Sequence, residues 1–74
     1  MDKFYYDFGY FFDRKDSGSC RVTLNKKLED VDDIDTCIEI ALAEGALDED
    51  YADNIVYVEE LTKEEAKEMG FNVD

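Results

Sequence analysis

The sequence predicts a small α+β domain in which one main helix packs on one face of a three-stranded antiparallel sheet. Three observations predict this class. Two neighbouring segments alternate apolar and polar residues with a period of two, a central segment repeats its apolar residues with a helical period, and a third segment, rich in β-branched residues, precedes a short helix. At 74 residues the chain has the length of one domain, residues 1–74. The expected element order is ββαβα.

The first two elements form a predicted β-hairpin. From Phe4 to Phe12 every even position is aromatic, which indicates a strand. A loop is expected over residues 14–19, with Gly18 free to take a positive φ. Residues 20–25 then alternate apolar and polar side chains, as a second strand does. The first strand is apolar on both faces, so it is expected at the centre, in the spatial order 2-1-3.

The main helix is predicted over about Asp32 to Glu44. Its apolar residues fall at i, i+3, i+4, i+7 and i+8, the spacing of an amphipathic helix. These residues are Ile34, Cys37, Ile38, Ala41 and Leu42. Aspartates in the first turn suit the positive end of the helix dipole, and Gly45 stands where a left-handed residue ends a helix.

The remaining chain predicts a third strand and a short closing helix. Residues 46–53 are polar and form either a loop or one helical turn. Residues 54–61 have the β-branched density of a strand. Thr62 and Glu65 have the spacing of a capping box, and Gly70 closes the last helix.

The second face of the sheet needs a cover, because apolar side chains are expected there too. They are Tyr5, Phe11, Val56 and Val58. The closing helix with Met69 and Phe71 covers them, or a second copy of the protein does, since large exposed apolar patches usually mark contacts. The sequence leaves internal packing and homodimerisation open.

The charge of the chain is unevenly distributed. Of the net charge of −13, all comes from the segment between Leu28 and Thr62, which holds thirteen acidic residues and no Lys or Arg. Such crowding opposes compaction, so it serves solubility or attracts a basic partner. Phosphates and anionic lipids would be repelled, so direct binding of nucleic acid or a membrane is not expected. The chain shows no membrane-spanning run and no secretory signal, and we expect a cytoplasmic protein.

Catalytic and cofactor motifs are absent from the sequence. There is no histidine, and no serine stands in a nucleophile elbow, so no enzyme is expected. The acidic runs 30–35 and 48–53 lack the glycine and the final glutamate of a calcium loop, and the four glycines are isolated, so neither a metal nor a cofactor is expected. Cys20 and Cys37 are interpreted as small buried hydrophobic residues.

The acidic segment predicts a partner-binding surface. On a helical wheel the acids flank the apolar stripe on both sides, with Ile40 between them facing solvent, and residues 48–53 extend the row. Carboxylates one helical turn apart stand about 5 to 6 Å from each other, close to the phosphate spacing of a nucleic acid strand. The predicted contact residues are Asp32, Asp33, Asp35, Glu39, Ile40, Glu44, Asp48, Glu49, Asp50, Tyr51 and Asp53.

A short, histidine-free α+β chain with its acids concentrated from Glu29 to Asp53 resembles the small inhibitors of phages and mobile elements, including anti-CRISPR proteins and other DNA mimics. The likeness lies in size and charge pattern. It implies a non-catalytic inhibitor that occupies a basic surface of a nucleic-acid-processing complex. The alternative is a structural or adaptor module that homodimerises through the outer sheet face, with the acids serving only solubility.

Overall fold

The structure, a computed structural model, describes residues 2–73. In this range the chain forms three strands and three helices. In chain order they are β1 (Phe4–Asp13), β2 (Asp16–Leu24), α1 (Ile34–Ala43), α2 (Glu49–Ala52), β3 (Ile55–Leu61) and α3 (Lys63–Glu68). The strands form one antiparallel sheet in the order β2-β1-β3. The predicted fold class and strand order are therefore confirmed.

The main core lies between α1 and the face of the sheet that we call the inner face. The even-numbered aromatic residues of β1 up to Tyr10 pack in this core, and Tyr6 and Phe8 have no exposed surface, whereas Phe12 is 38% exposed. Cys37 and Ala41 of α1 belong to the same cluster, as the predicted apolar stripe requires. The Tyr6 hydroxyl accepts a hydrogen bond of 2.9 Å from the backbone N–H of Leu28, which ties the segment before α1 to the sheet.

The turn between β1 and β2 is shorter than predicted. β2 begins at Asp16, so most of the loop expected over residues 14–19 belongs to the strand. The Asp13 carboxylate closes the turn, because it accepts hydrogen bonds from the backbone N–H groups of Lys15 at 2.7 Å and Asp16 at 2.9 Å. Gly18 is paired within the sheet, and its φ is not positive, contrary to the prediction.

Val58 lies on the inner face, where it pairs with Phe8, so its predicted place on the outer face was wrong. Tyr57 instead pairs with Gly9 and lies on the outer face. The cause is an irregularity in the register next to Gly9, where Val56 is an extra residue in β3. This bulge reverses the alternation of side chains along the strand.

The closing helix covers one end of the outer face. A small second core there consists of Tyr5, Leu61, Ala66 and Phe71. The Tyr5 and Phe71 rings meet edge to face with centroids 5.7 Å apart. The predicted capping box is present, since Thr62 and Glu65 each bond the other's backbone N–H. Of the two expected covers, internal packing therefore accounts for Tyr5, whereas Phe11 and Val56 stay about half exposed.

Candidate functional site

The acidic surface begins at the N-terminus of α1, where Asp33 is the N-cap. Its carboxylate accepts hydrogen bonds from the backbone N–H of Thr36 at 3.4 Å and from the Thr36 hydroxyl at 2.8 Å. The helix accordingly starts at Ile34, so Asp32, the first residue of the predicted helix, lies outside the observed one. At the other end, the carboxylate of Glu44 accepts a hydrogen bond of 2.8 Å from the backbone N–H of Asn25.

The segment after α1 forms the single helical turn α2, one of the two expected alternatives. Asp48 caps it by accepting a hydrogen bond of 2.9 Å from the backbone N–H of Asp50. Tyr51 packs against Tyr10, with ring centroids 4.7 Å apart, and against Phe12 at 5.7 Å. This packing leaves Tyr51 half-buried, and it attaches α2 to the inner-face core.

Ile40 does not face solvent as predicted. It is half-buried and packs against the main core, because the segment around Leu28 folds back along α1. Together with Asp33 it lines a surface groove of about 190 Å³ whose border includes Lys26 and Lys27. The two lysines therefore limit the acidic surface on this side.

The acids of the predicted surface fall into two groups. One group serves the fold, because each of its carboxylates accepts a hydrogen bond from a nearby backbone N–H: Asp33, Glu44 and Asp48. The second group is exposed, and its carboxylates make no hydrogen bond or ion pair with the described residues 2–73: Asp32, Asp35, Glu39, Glu49, Asp50 and Asp53. We call this second group the unengaged acids.

The unengaged acids lie on one layer of the molecule. α1 and α2 contact each other on the inner side of the sheet, and neither helix contains a Lys or Arg. The basic residues lie outside the two helices, in the hairpin turn, on the sheet, beside the groove and near or on α3. Among residues 2–73 the structure shows one ion pair, between Lys27 and Glu60 at 3.9 Å, and both of its side chains are exposed. The α1–α2 layer thus presents negative charge without internal neutralisation.

The negative field of this layer acts on the two thiols. Burial raises the pKa of Cys37, and the neighbouring carboxylates of Asp33 and Asp30 raise it further. Burial likewise raises the pKa of Cys20, with a further increase from the charge of Asp48. The Cys37 thiol donates a hydrogen bond of 3.3 Å to the backbone carbonyl of Asp30. Both cysteines are free, and Cys37 is buried as interpreted, whereas Cys20 is only half-buried.

A second feature, which the sequence does not predict, lies on the outer face of the sheet. Asp7 is only 6% exposed although it is charged. Its Oδ2 atom accepts a hydrogen bond of 3.4 Å from the Tyr57 hydroxyl, and its Oδ1 atom is buried without a partner among the described residues. The only signal in the sequence is an acid in the middle of an aromatic strand.

No protein-family model, curated protein or solved structure matches this chain. Within residues 2–73, no helix is long and apolar enough to cross a membrane. In the same range, no group of three or more Cys, Asp and Glu side chains is arranged to hold a metal ion.

Proposed function

We propose that this protein is a non-catalytic acidic inhibitor that occupies the basic, nucleic-acid-binding surface of a nucleic-acid-processing complex in the cytoplasm. The α1–α2 layer is the contact surface. Its carboxylates take the place of phosphates, and arginines and lysines of the partner pair with them. No cofactor, metal or nucleic acid takes part.

The unengaged acids are the observation that carries this proposal. Asp33 and Asp48 are explained by capping, since a carboxylate at a helix N-terminus stabilises the helix. Asp35 and Glu39 cap nothing and pair with no described residue, yet they stand one helical turn apart and repel each other. Asp35 lies in the first turn of α1, where the helix dipole favours a carboxylate, but Glu39 lies beyond that turn. A carboxylate such as Glu39, which is repelled by its neighbour and supports no part of the fold, is explained when a partner binds it.

The charge of the layer also determines how such a complex would form. Complementary potentials accelerate the encounter of two proteins, and this acceleration falls as salt rises. Half-buried Tyr51 and Ile40 lie within the acidic layer and provide the short-range apolar contact that charge alone does not. We therefore expect fast, salt-dependent association with a basic surface.

The test compares two pairs of substitutions that remove the same charge at the same helical spacing. The first double variant, Asp35→Asn with Glu39→Gln, removes two charges from the solvent-exposed side of α1. The second, Glu64→Gln with Glu68→Gln, removes the equivalent i, i+4 pair from α3. Each variant is assayed for inhibition of DNA binding by a panel of nucleic-acid-binding effectors, CRISPR effector complexes included. An exposed ion pair contributes about 0.2 to 1 kcal/mol, and the α1 variant loses two of them, so it should bind about 2- to 30-fold more weakly.

The α3 variant should inhibit as the wild type does. Equal loss in both variants would show that only net charge matters, and undiminished inhibition by the α1 variant would refute the proposed surface. Thermal unfolding of both variants provides the control, because neither pair contains a capping residue.

The alternative function, a module that homodimerises through the outer sheet face, loses two of its four predicted contacts. Tyr5 is buried under Phe71, and Val58 lies in the main core. Phe11, Val56 and Tyr57 remain exposed on this face, which keeps a dimer open to test. Light scattering at low and high salt distinguishes the two functions, because an apolar dimer persists at high salt whereas capture of a basic partner does not.

A further inference from the structure

Asp7 occupies an unusual position for a charged residue, at the centre of the central strand. It is directly opposite Arg21 on β2 and Glu59 on β3, and all three side chains belong to the outer face. Burial of a carboxylate is costly unless its oxygens are hydrogen-bonded. Here Oδ1 is buried with no partner in the described part of the chain, and the bond of Oδ2 to Tyr57, at 3.4 Å, is long.

The nearest basic residue does not satisfy this carboxylate. The Arg21 guanidinium donates a hydrogen bond of 3.1 Å to the backbone carbonyl of Met69, and so holds the end of α3 against the sheet. No ion pair joins Arg21 to Asp7, since the pair found within residues 2–73 is that of Lys27 and Glu60. Glu59 beside it adds a second negative charge to this part of the face.

Aromatic and apolar surface extends along the outer face from one side of the buried carboxylate. The Tyr57 ring lies flat against Gly9, so close that a Cβ atom at Gly9 would fall 1.8 Å from the ring. Phe11, Val56 and Tyr57 are 50%, 54% and 44% exposed. This half of the outer face, which α3 leaves uncovered, therefore places exposed rings beside a carboxylate whose Oδ1 atom has no partner among the described residues.

We propose that this outer-face site, formed by Asp7 and Tyr57, binds an arginine side chain of a partner protein. A guanidinium group is planar, carries five N–H donors and stacks on aromatic rings, so it can pair with the carboxylate and contact the rings together. Tyr57 is only partly buried, and an outward turn of its ring would open the Asp7 carboxylate at the cost of a long hydrogen bond and of the ring's packing on Gly9. A second copy of this chain is a poor occupant, because two molecules of net charge −13 repel each other.

The site is independent of the proposed inhibitor surface, because α1 packs on the opposite face of the sheet. Failure of one proposal therefore leaves the other standing. A partner that used both surfaces would contact two sides of this small domain.

The probe for this site is N-acetyl-arginine amide, and its neutral isostere N-acetyl-citrulline amide is the control. Each is titrated into the ¹⁵N-labelled protein while the backbone amide signals of Gly9, Phe11 and Tyr57 are followed by NMR. Arginine amide should shift these signals in a saturable way, and citrulline amide should not. Asp7→Asn should weaken binding about 10- to 150-fold, the range for a hydrogen bond to a charged group. Asp35→Asn with Glu39→Gln should leave it unchanged.

Equal shifts with the two amides would overturn the proposal. This comparison uses the wild-type protein, so it does not require that any variant fold. Binding that survives Asp7→Asn would overturn it too. The proposal would also be overturned if the signals of Phe11 and Tyr57 moved with protein concentration alone, because a second copy of the chain would then cover the site.

Discussion

Gly9→Ala tests the packing that forms the outer-face site. The added Cβ atom would lie 1.8, 2.2 and 2.4 Å from three atoms of the Tyr57 ring, so the ring must leave its place. Gly9 does not have a positive φ, so alanine meets no backbone strain there. The cost of the substitution is therefore the loss of the buried part of Tyr57.

The size of this cost follows from the exposure of the ring. Tyr57 is 44% exposed, so a little over half of it is buried. An aromatic side chain can bury about 150 to 250 Å², which gives about 100 Å² here and about 2.5 kcal/mol at 25 cal/mol per Å². Alanine stabilises the folded state by about 0.4 to 1 kcal/mol relative to glycine, because it lowers the conformational entropy of the unfolded chain. The net loss of about 2 kcal/mol should lower Tm by about 8 to 16 °C.

Thermal unfolding followed by circular dichroism measures this change, and Tyr57→Ala supplies the matched background. In the Tyr57→Ala background the added Cβ atom meets no ring, so Gly9→Ala should raise the free energy of unfolding by about 0.4 to 1 kcal/mol. A single Gly9→Ala variant as stable as the wild type would refute the reasoning. So would equal losses from Gly9→Ala in the two backgrounds.

Three further predictions concern the fold and its charge. Thr62→Ala removes one half of the capping box, so it should cost about 1 kcal/mol and raise hydrogen exchange in α3 before the rest of the protein. Raising NaCl from about 0.01 M to about 1 M shortens the Debye length from about 30 to 3 Å. This screening weakens the repulsion among the acidic side chains, so it should raise Tm. A fall in Tm would show that attraction between opposite charges outweighs this repulsion. Burial raises the pKa of Tyr6 and Tyr57 above 10.0, so the folded state holds these protons more tightly than the unfolded state. The free energy of unfolding should therefore fall as pH rises above 10.0, and tyrosinate absorbance with circular dichroism should detect ionisation and unfolding together.

Local periodicity was enough to predict most of the fold. The aromatic alternation of β1, the apolar stripe of α1 and the capping box of α3 each depend on residues close in sequence, and each is confirmed. The face of Val58 could not be predicted in this way, because it depends on a bulge in the pairing of β3 with β1. The length of the hairpin turn likewise depends on the Asp13 side chain, which no alternation pattern records.

The candidate site was predictable in charge but not in detail. The absence of Lys and Arg from the acidic segment is visible in the sequence, whereas the division into capping and unengaged acids requires hydrogen bonds. Ile40 was expected to face solvent and Tyr51 to contact a partner, and tertiary packing half-buries both. Asp7 was missed because its meaning comes from Tyr57, fifty residues away along the chain.

The central claim is that the α1–α2 layer binds where a nucleic acid would otherwise bind. The most direct measurement asks whether this protein and duplex DNA can occupy one effector at the same time, by fluorescence anisotropy of labelled DNA and by sedimentation of the mixture. Mutually exclusive binding is predicted. The apparent Kd of this protein for the effector should then rise linearly with the DNA concentration. A ternary complex that holds both the protein and the DNA would contradict the claim.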